Sequence, residues 1–335
     1  MSFPIHRANY RTLDPDFAGP VFVADIDRTY LMTRFSTLKG IARIPFERAE
    51  HKQDIEGMAR LFREIRNGPA EATRDTPLYF VSASPRQLRE VIEKKMTLDG
   101  IGFDGTTFKD WTRVVQRLRF ARLKEQIGFK LTALVTGRAE LPTGAEEYLL
   151  GDDLEHDPLT YCLYADFLSG RIPAHDVERV LALNGVLPGD AKSIADALRA
   201  LQPGKGVRAA LIRLERHGEP EPFLDYGPGI VPCAGAFQMA IVLWRLGCIA
   251  RAGIGRVASE MVHRGVEAEA FTQRLRDLVR RAVLDEDDAR SIARELTEKE
   301  IAVELEDAID VDPLWLERSK KRIDRVWTPG RFLGE

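Results

Sequence analysis

The sequence is poor in cysteine. Its 335 residues include only three, Cys162, Cys233 and Cys248, and no two of them have the C-x-x-C spacing of zinc sites and redox motifs. This scarcity argues against a disulfide framework and predicts a reducing, cytoplasmic location. The first 17 residues also lack the hydrophobic segment of a secretion signal.

Neither a large excess of charge nor a long hydrophobic run is present. The net charge is −3, whereas proteins that follow a nucleic-acid backbone are usually clearly basic. Nucleic acid is therefore disfavoured as a partner. The most apolar later stretch, residues 233–255, is interrupted by Gln238, Arg245 and Arg251. A membrane span needs about 20 apolar residues, so this stretch predicts a core helix instead.

What the sequence does contain is an alternation of strand and helix patterns in its first half. Continuous apolar runs at 21–24 and 78–81 are typical of strands buried on both faces, and the shorter segment 147–150, "EYLL", is a third strand candidate. Apolar residues at three- and four-residue spacings predict helices over 54–65 and 85–96. Strands that alternate with helices predict a doubly wound parallel sheet. Ligands bind beyond the carboxyl ends of the strands in such sheets.

The pattern changes near residue 175, after which helical periodicity dominates. We therefore predict an N-terminal extension over 1–16, an α/β domain over 17–175 and an all-helical domain over 176–335.

Polar residues follow each of the three predicted strands. Asp25 and Asp27 follow the first, Ser82 follows the second, and Asp152 and Asp153 follow the third. Because the carboxyl ends of parallel strands share one edge of a sheet, we expect these side chains to converge.

Two further side chains are candidates for the same site. Lys130 precedes an apolar helix-like run, where an inward ammonium would neutralise a nucleophilic carboxylate and a phosphoryl group. Lys124 is its nearest competitor. Ser84 is suited to cap a helix that begins at Pro85, and we also count it among the substrate-binding candidates.

The segment 151–158, "GDDLEHDP", is dense in carboxylates. Asp152, Asp153 and Asp157 would repel one another without a cation, and oxygen ligands of this kind suit Mg²⁺. The alternative is an acidic helix N-terminus that the helix dipole favours.

Together these patterns resemble the motifs of the haloacid dehalogenase superfamily. Within it, residues 17–175 are most similar to the actin-patch-associated phosphatidate phosphatase family and its bacterial relatives. The strings that carry the resemblance are "DIDRTYL", "LYFVSASPRQL", "FKDW", "FKLTAL" and, most specifically, "LLGDDLEHDPLTY".

The resemblance implies a role for each motif residue. Asp25 would be the nucleophile that forms an aspartyl-phosphate. Asp27 would be the general acid and then the base that activates water. Ser82 and Lys130 would hold the phosphoryl oxygens. Thr29 and Arg28 are further substrate-binding candidates, although Arg28 departs from the small or acidic residue of many relatives.

The resemblance also implies a bound Mg²⁺. It would lie between the Asp25 carboxylate, the Asp27 backbone carbonyl and Asp152, with Asp157 or Asp153 as the further acid.

The spacing of the motifs bears on the substrate. The intervals from Asp27 to Ser82 and on to Lys130 are too short for a large lid domain, so a bulky phosphomonoester is expected. Phosphatidate, the substrate that the resemblance implies, would require peripheral contact with a membrane. Residues 319–327 are the only candidate basic patch, and a solvated helix end is the favoured interpretation of them. The alternatives are a polynucleotide end phosphatase and a non-catalytic binding or regulatory protein that retains the fold.

Overall fold

A seven-stranded, mostly parallel sheet organises the chain in the computed structural model. The structure describes residues 4–32, 52–70, 75–110, 126–202, 204–215, 218–305 and 307–335. The strands run in the order β1-β4-β3-β2-β5-β6-β7, and only the β1–β4 pair is antiparallel. Their bounds are β1 Ile5–Asn9, β2 Gly19–Asp25, β3 Leu78–Pro85, β4 Gly105–Lys109, β5 Ala145–Asp152, β6 Val207–Arg213 and β7 Ile230–Cys233.

Eleven α-helices accompany the sheet within the described ranges. They are α1 Met58–Asn67, α2 Arg89–Leu98, α3 Ile127–Arg138, α4 Asp157–Leu168, α5 Val177–Leu183, α6 Pro188–Ala200, α7 Ala236–Arg245, α8 Arg251–His263, α9 Ala268–Arg280, α10 Glu286–Thr297 and α11 Pro313–Ser319. The predicted mixed α/β architecture with a largely parallel sheet is therefore confirmed. Its assignment to the haloacid dehalogenase type stays a prediction.

The three central strands contain the three predicted strands, of which 21–24 and 78–81 are continuous apolar runs. Successive residues on each strand point to opposite faces of the sheet, and helices cover both faces. On β5, for example, Leu150 belongs to the core beneath α1 and α7–α10, whereas Leu149 belongs to the core beneath α3–α6. Burial on both faces is the reason that these runs are continuously apolar rather than alternating.

The expectation of an all-helical segment over 176–335 is wrong. Strands β6 and β7 lie in this segment, and β6 pairs in parallel with β5. The sheet thus contains strands from both sides of the predicted boundary, and β1 adds a strand from the predicted N-terminal extension. Strands β6 and β7 have weak sequence signals. Arginines flank the apolar part of β6, and β7 has only four residues, one of them a proline. The domain boundary itself stays a prediction.

The apolar stretch at 233–255 is a buried helix pair rather than one helix. Helix α7 ends at Arg245, and Gly247 follows with a φ of 71°, a left-handed conformation that favours glycine. Helix α8 then begins at Arg251. In the part of the chain that the structure describes, none of the helices has the length and apolar character needed to cross a membrane.

A buried acid on β5, Glu147, makes the stability of the fold sensitive to pH. The Tyr164 hydroxyl donates hydrogen bonds of 2.9 and 3.1 Å to its two oxygens, and Arg138 lies 3.5 Å away. Burial outweighs the Arg138 charge and raises the pKa of Glu147 from 4.5 to about 7. A raised carboxyl pKa means that the folded state holds a proton the unfolded state has lost, so this contribution to stability declines as the pH rises from 4.5 through 7.

Glu147→Gln is therefore expected to match the wild type at pH 5 and to be more stable at pH 8. The gain approaches about 3 kcal/mol, the equivalent of the pKa shift, and urea denaturation at both pH values measures it. Glu146→Gln, on the neighbouring and more exposed residue, is the matched control and should show no such gain. Equal pH slopes for Glu147→Gln and the wild type would contradict this assignment.

Candidate active site

The predicted convergence of side chains occurs at the carboxyl edge of β2, β3 and β5. Asp25 is the last residue of β2 and is paired in register with Val81, the residue before Ser82. Asp152 is the last residue of β5. Asp25 is 1% exposed and both Ser82 and Asp152 are fully buried. The three strand ends therefore present their polar side chains to one enclosed site.

Lys130 lies at the centre of this site. It is in the first turn of α3 with its side chain buried. Its Nζ lies 3.0 Å from Asp25 Oδ1 and 2.8 Å from Glu155 Oε2, and it also donates to Asp157 Oδ1. One ammonium thus serves three carboxylates, two of them from the loop and helix that follow β5.

The acidic groups outnumber the positive charge available to them. Asp25, Glu155 and Asp157 each place one oxygen within 4.8 Å of the others. Oδ2 of Asp25 and Oδ2 of Asp152 are buried and accept no hydrogen bond from the described residues, and Lys130 is the cation paired there with Asp25 Oδ1 and Glu155 Oε2. Unsatisfied buried carboxylate oxygens are costly. A donor set made only of oxygens fits a divalent cation such as Mg²⁺.

The protonation of these groups reflects the same crowding. Burial raises the pKa of Asp25 well above its usual range, and the charges of Asp157, Glu155 and Asp152 add to the effect against the opposing Lys130. Burial and Asp157 together raise the pKa of Asp152 to about 7. For Lys130, burial opposes the charged form, but its carboxylate partners prevail and raise the pKa. The site therefore favours bound protons or a bound cation.

Two serines of β3 hold the Asp27 carboxylate by hydrogen bonds. Ser82 Oγ donates to Asp27 Oδ2 at 2.6 Å, and Ser84 Oγ lies 2.9 Å from Oδ1 and 3.1 Å from Oδ2. The predicted capping role of Ser84 is wrong. The chain after Pro85 begins with a 3₁₀ turn over Arg86–Leu88 that has no side-chain cap, and Ser84 orients the Asp27 carboxylate instead.

The remaining predicted residues are Asp153, Thr29 and Arg28. Asp153 turns towards the residues after β6, where its Oδ1 accepts a hydrogen bond of 2.7 Å from the Glu215 backbone N–H. Asp157, and not Asp153, is therefore the acid brought beside Asp25. Thr29 is fully buried, and its hydroxyl has no hydrogen-bond partner among the described residues. Arg28 Nη1 donates to Glu215 Oε1 at 2.8 Å.

Residues 21–175 match the family model described as "Phosphatidate phosphatase APP1, catalytic domain". The match supports the predicted likeness to that family over this segment, which contains Asp25, Asp27, Ser82, Lys130 and Asp157. Comparison with curated proteins and with solved structures returns no match.

Gly151 explains part of the most specific motif in the matched segment. A Cβ atom at this position would lie 2.8 Å from both Asp157 Cβ and Tyr161 Cε2. Only glycine lets the start of α4 approach the end of β5 so closely. Tyr161 then donates from its hydroxyl to the Leu150 carbonyl at 3.0 Å. The spacing from Gly151 to Tyr161 thus brings Asp157 beside Lys130.

Three residues of the site were not predicted. Glu155 lies inside the acidic motif, but its side-chain direction could not be read from the sequence. Arg213 and Glu215 lie at and just beyond the end of β6, outside the matched segment. Had β6 been recognised as a strand, the rule about carboxyl ends would have identified them. Lys124 and Trp111, the last residue of "FKDW", lie outside the described residues.

Proposed function

We propose that the protein is a divalent-metal-dependent phosphatase that hydrolyses a phosphomonoester, with phosphatidate as the favoured substrate. The observation that carries this proposal is the Asp25 carboxylate. It is buried, its Oδ1 lies 3.0 Å from Lys130 Nζ, and its Oδ2 accepts no hydrogen bond from the described residues. It lies in a segment that matches a phosphatase catalytic domain.

In the first step, an oxygen of Asp25 attacks phosphorus while the bond to the leaving oxygen breaks. Asp27 gives its proton to that oxygen, and an aspartyl-phosphate remains. In the second step, Asp27 takes a proton from water, the water oxygen attacks phosphorus and the bond to Asp25 breaks. Inorganic phosphate leaves and both carboxyl groups return to their starting states. Asp27 is held by hydrogen bonds from two serines, whereas Asp25 pairs with Lys130; these different surroundings suit two different roles.

The residues that would hold Mg²⁺ are Asp25, Asp152 and Asp157, joined by Glu155. The unpartnered Oδ2 atoms of Asp25 and Asp152 support this assignment, as does the closeness of the carboxylate oxygens of Asp25, Glu155 and Asp157. A bound Mg²⁺ neutralises charge on the phosphoryl group and on the carboxylates. Burial and neighbouring acids raise the pKa of Asp25, so added positive charge favours the ionised carboxylate that attacks phosphorus.

The candidate basic patch does not support contact with a membrane at the active site. Residues 319–326 are exposed. However, the neighbouring Arg318 donates to the backbone oxygens of Tyr226 and Gly227, which precede β7. The amino ends of parallel strands lie opposite the edge that carries the site. This position favours the simpler interpretation of a solvated helix end.

Phosphate release from three substrates tests the proposal. Purified protein with Mg²⁺ or with EDTA is given phosphatidate in mixed micelles, p-nitrophenyl phosphate and a 5′-phosphorylated oligonucleotide. We expect Mg²⁺-dependent release from the first two. Release from the oligonucleotide alone would favour a polynucleotide phosphatase, and release from none would favour a non-catalytic protein; either result overturns the proposal.

A further inference from the structure

Two residues outside the matched segment hold the loop that carries Asp27. Arg213, at the end of β6, donates from Nε to the Arg28 carbonyl oxygen at 2.7 Å. Glu215 accepts from Arg28 Nη1 at 2.8 Å and also pairs with Arg213. The Glu215 backbone N–H is itself tied to Asp153. The end of β6 is thereby fastened to the end of β5 and to the loop after β2.

The residue that Arg213 holds has an unusual backbone conformation. Arg28 has a φ of 61°, in the left-handed region that a residue with a side chain seldom adopts. Such a conformation is strained and persists only where the surroundings enforce it. Here the Arg28 N–H donates to the Leu31 carbonyl at 2.8 Å and the Arg28 carbonyl accepts from Arg213. Both backbone groups of the strained residue are therefore engaged.

We propose that Arg213 is a positioning residue that directs Asp27 towards the leaving oxygen of the substrate. The inference rests on the proposed function, in which Asp27 donates the proton. The two serines hold the Asp27 carboxylate from the β3 side, and Arg213 fixes the backbone immediately after it from the β6 side. The Arg213 side chain is only 13% exposed, which suits a support better than a substrate contact.

The test uses the dependence of turnover on the leaving group. An alkyl phosphate, such as dioctanoyl phosphatidate, needs its leaving oxygen protonated, whereas the p-nitrophenolate ion leaves readily without a proton. Misplacing Asp27 through Arg213→Met should lower kcat/KM for the alkyl substrate about 10- to 100-fold and kcat/KM for the aryl substrate less than about 3-fold. The comparison uses kcat/KM because it reports the formation of the aspartyl-phosphate, whereas kcat also includes the hydrolysis of that shared intermediate, in which Asp27 acts as the base.

Two variants complete the experiment. Arg208→Met alters an exposed arginine of the same strand and should leave both activities unchanged. Arg213→Lys keeps a positive donor on a flexible stem, so its selective loss should be smaller, about 3- to 10-fold. If Arg213→Met does not fold, Arg213→Lys carries the same comparison.

Each outcome decides between the two proposals. An equal loss of kcat/KM with both substrates, or no loss with either, would overturn the positioning role while the phosphatase assignment stands. A wild-type protein that releases phosphate from neither substrate would instead remove the proposed function on which this role depends.

Discussion

Asp25→Asn will reduce phosphate release by about 10³-fold or more, because asparagine cannot form the aspartyl-phosphate. The same variant will be at least as stable as the wild type when both are measured in EDTA. This second expectation follows from the surroundings of Asp25. Burial raises the pKa of its carboxyl group against the opposing charge of Lys130, and the charges of Asp157, Glu155 and Asp152 add to the rise. A neutral amide removes both the cost of burying a charge and that repulsion.

A loss of turnover without a loss of stability would show that Asp25 has a catalytic role rather than a structural one. Phosphate release is measured with p-nitrophenyl phosphate and Mg²⁺, and thermal unfolding is followed in EDTA. Asp166→Asn is the matched control, since Asp166 is a buried acid towards the far end of α4 whose pKa is also raised by burial. It should keep its activity. An Asp25→Asn protein that retains more than about a tenth of wild-type turnover would show that the nucleophile is another group.

Lys130→Met is expected to destabilise the protein in EDTA by about 3–5 kcal/mol, the cost typical of removing one partner from a buried ion pair. The ammonium lies 3.0 Å from Asp25 and 2.8 Å from Glu155 and also contacts Asp157. Without it, these buried acids must take up protons or bind another cation. Urea denaturation should therefore show a larger stabilisation by Mg²⁺ in Lys130→Met than in the wild type.

A second substitution tests whether charge is the cause. Adding Asp157→Asn to Lys130→Met removes one of the uncompensated carboxylates and should recover part of the lost stability in EDTA. Lys192→Met, on the exposed face of α6, is the control and should change little. If Lys130→Met is as stable as the wild type in EDTA, the carboxylates do not depend on Lys130 for compensation.

The parts of the fold that could be predicted from the sequence are those with a local signal. Strands β2 and β3 contain continuous apolar runs because both of their faces are buried, and β5 contains the shorter apolar segment 148–150. Their shared carboxyl edge then follows from parallel pairing, so the sequence predicts that Asp25, Ser82 and Asp152 lie together. Strands β6 and β7 lack such a signal, and only their pairing with β5 defines them.

The same distinction applies to the candidate site. The sequence by itself determined which residue types follow the predicted strands. The apolar strand patterns and the position of Gly151 can be read from neighbouring residues alone. Only the tertiary structure decided which way each side chain turns. It places Glu155 and Asp157 beside Lys130 and directs Asp153 towards the end of β6. It also places the Ser84 hydroxyl within hydrogen-bond distance of the Asp27 carboxylate. It also brought Arg213 from outside the matched segment to the Arg28 carbonyl. Such choices depend on burial, charge and hydrogen bonds between residues that are distant in the chain, and no local pattern records them.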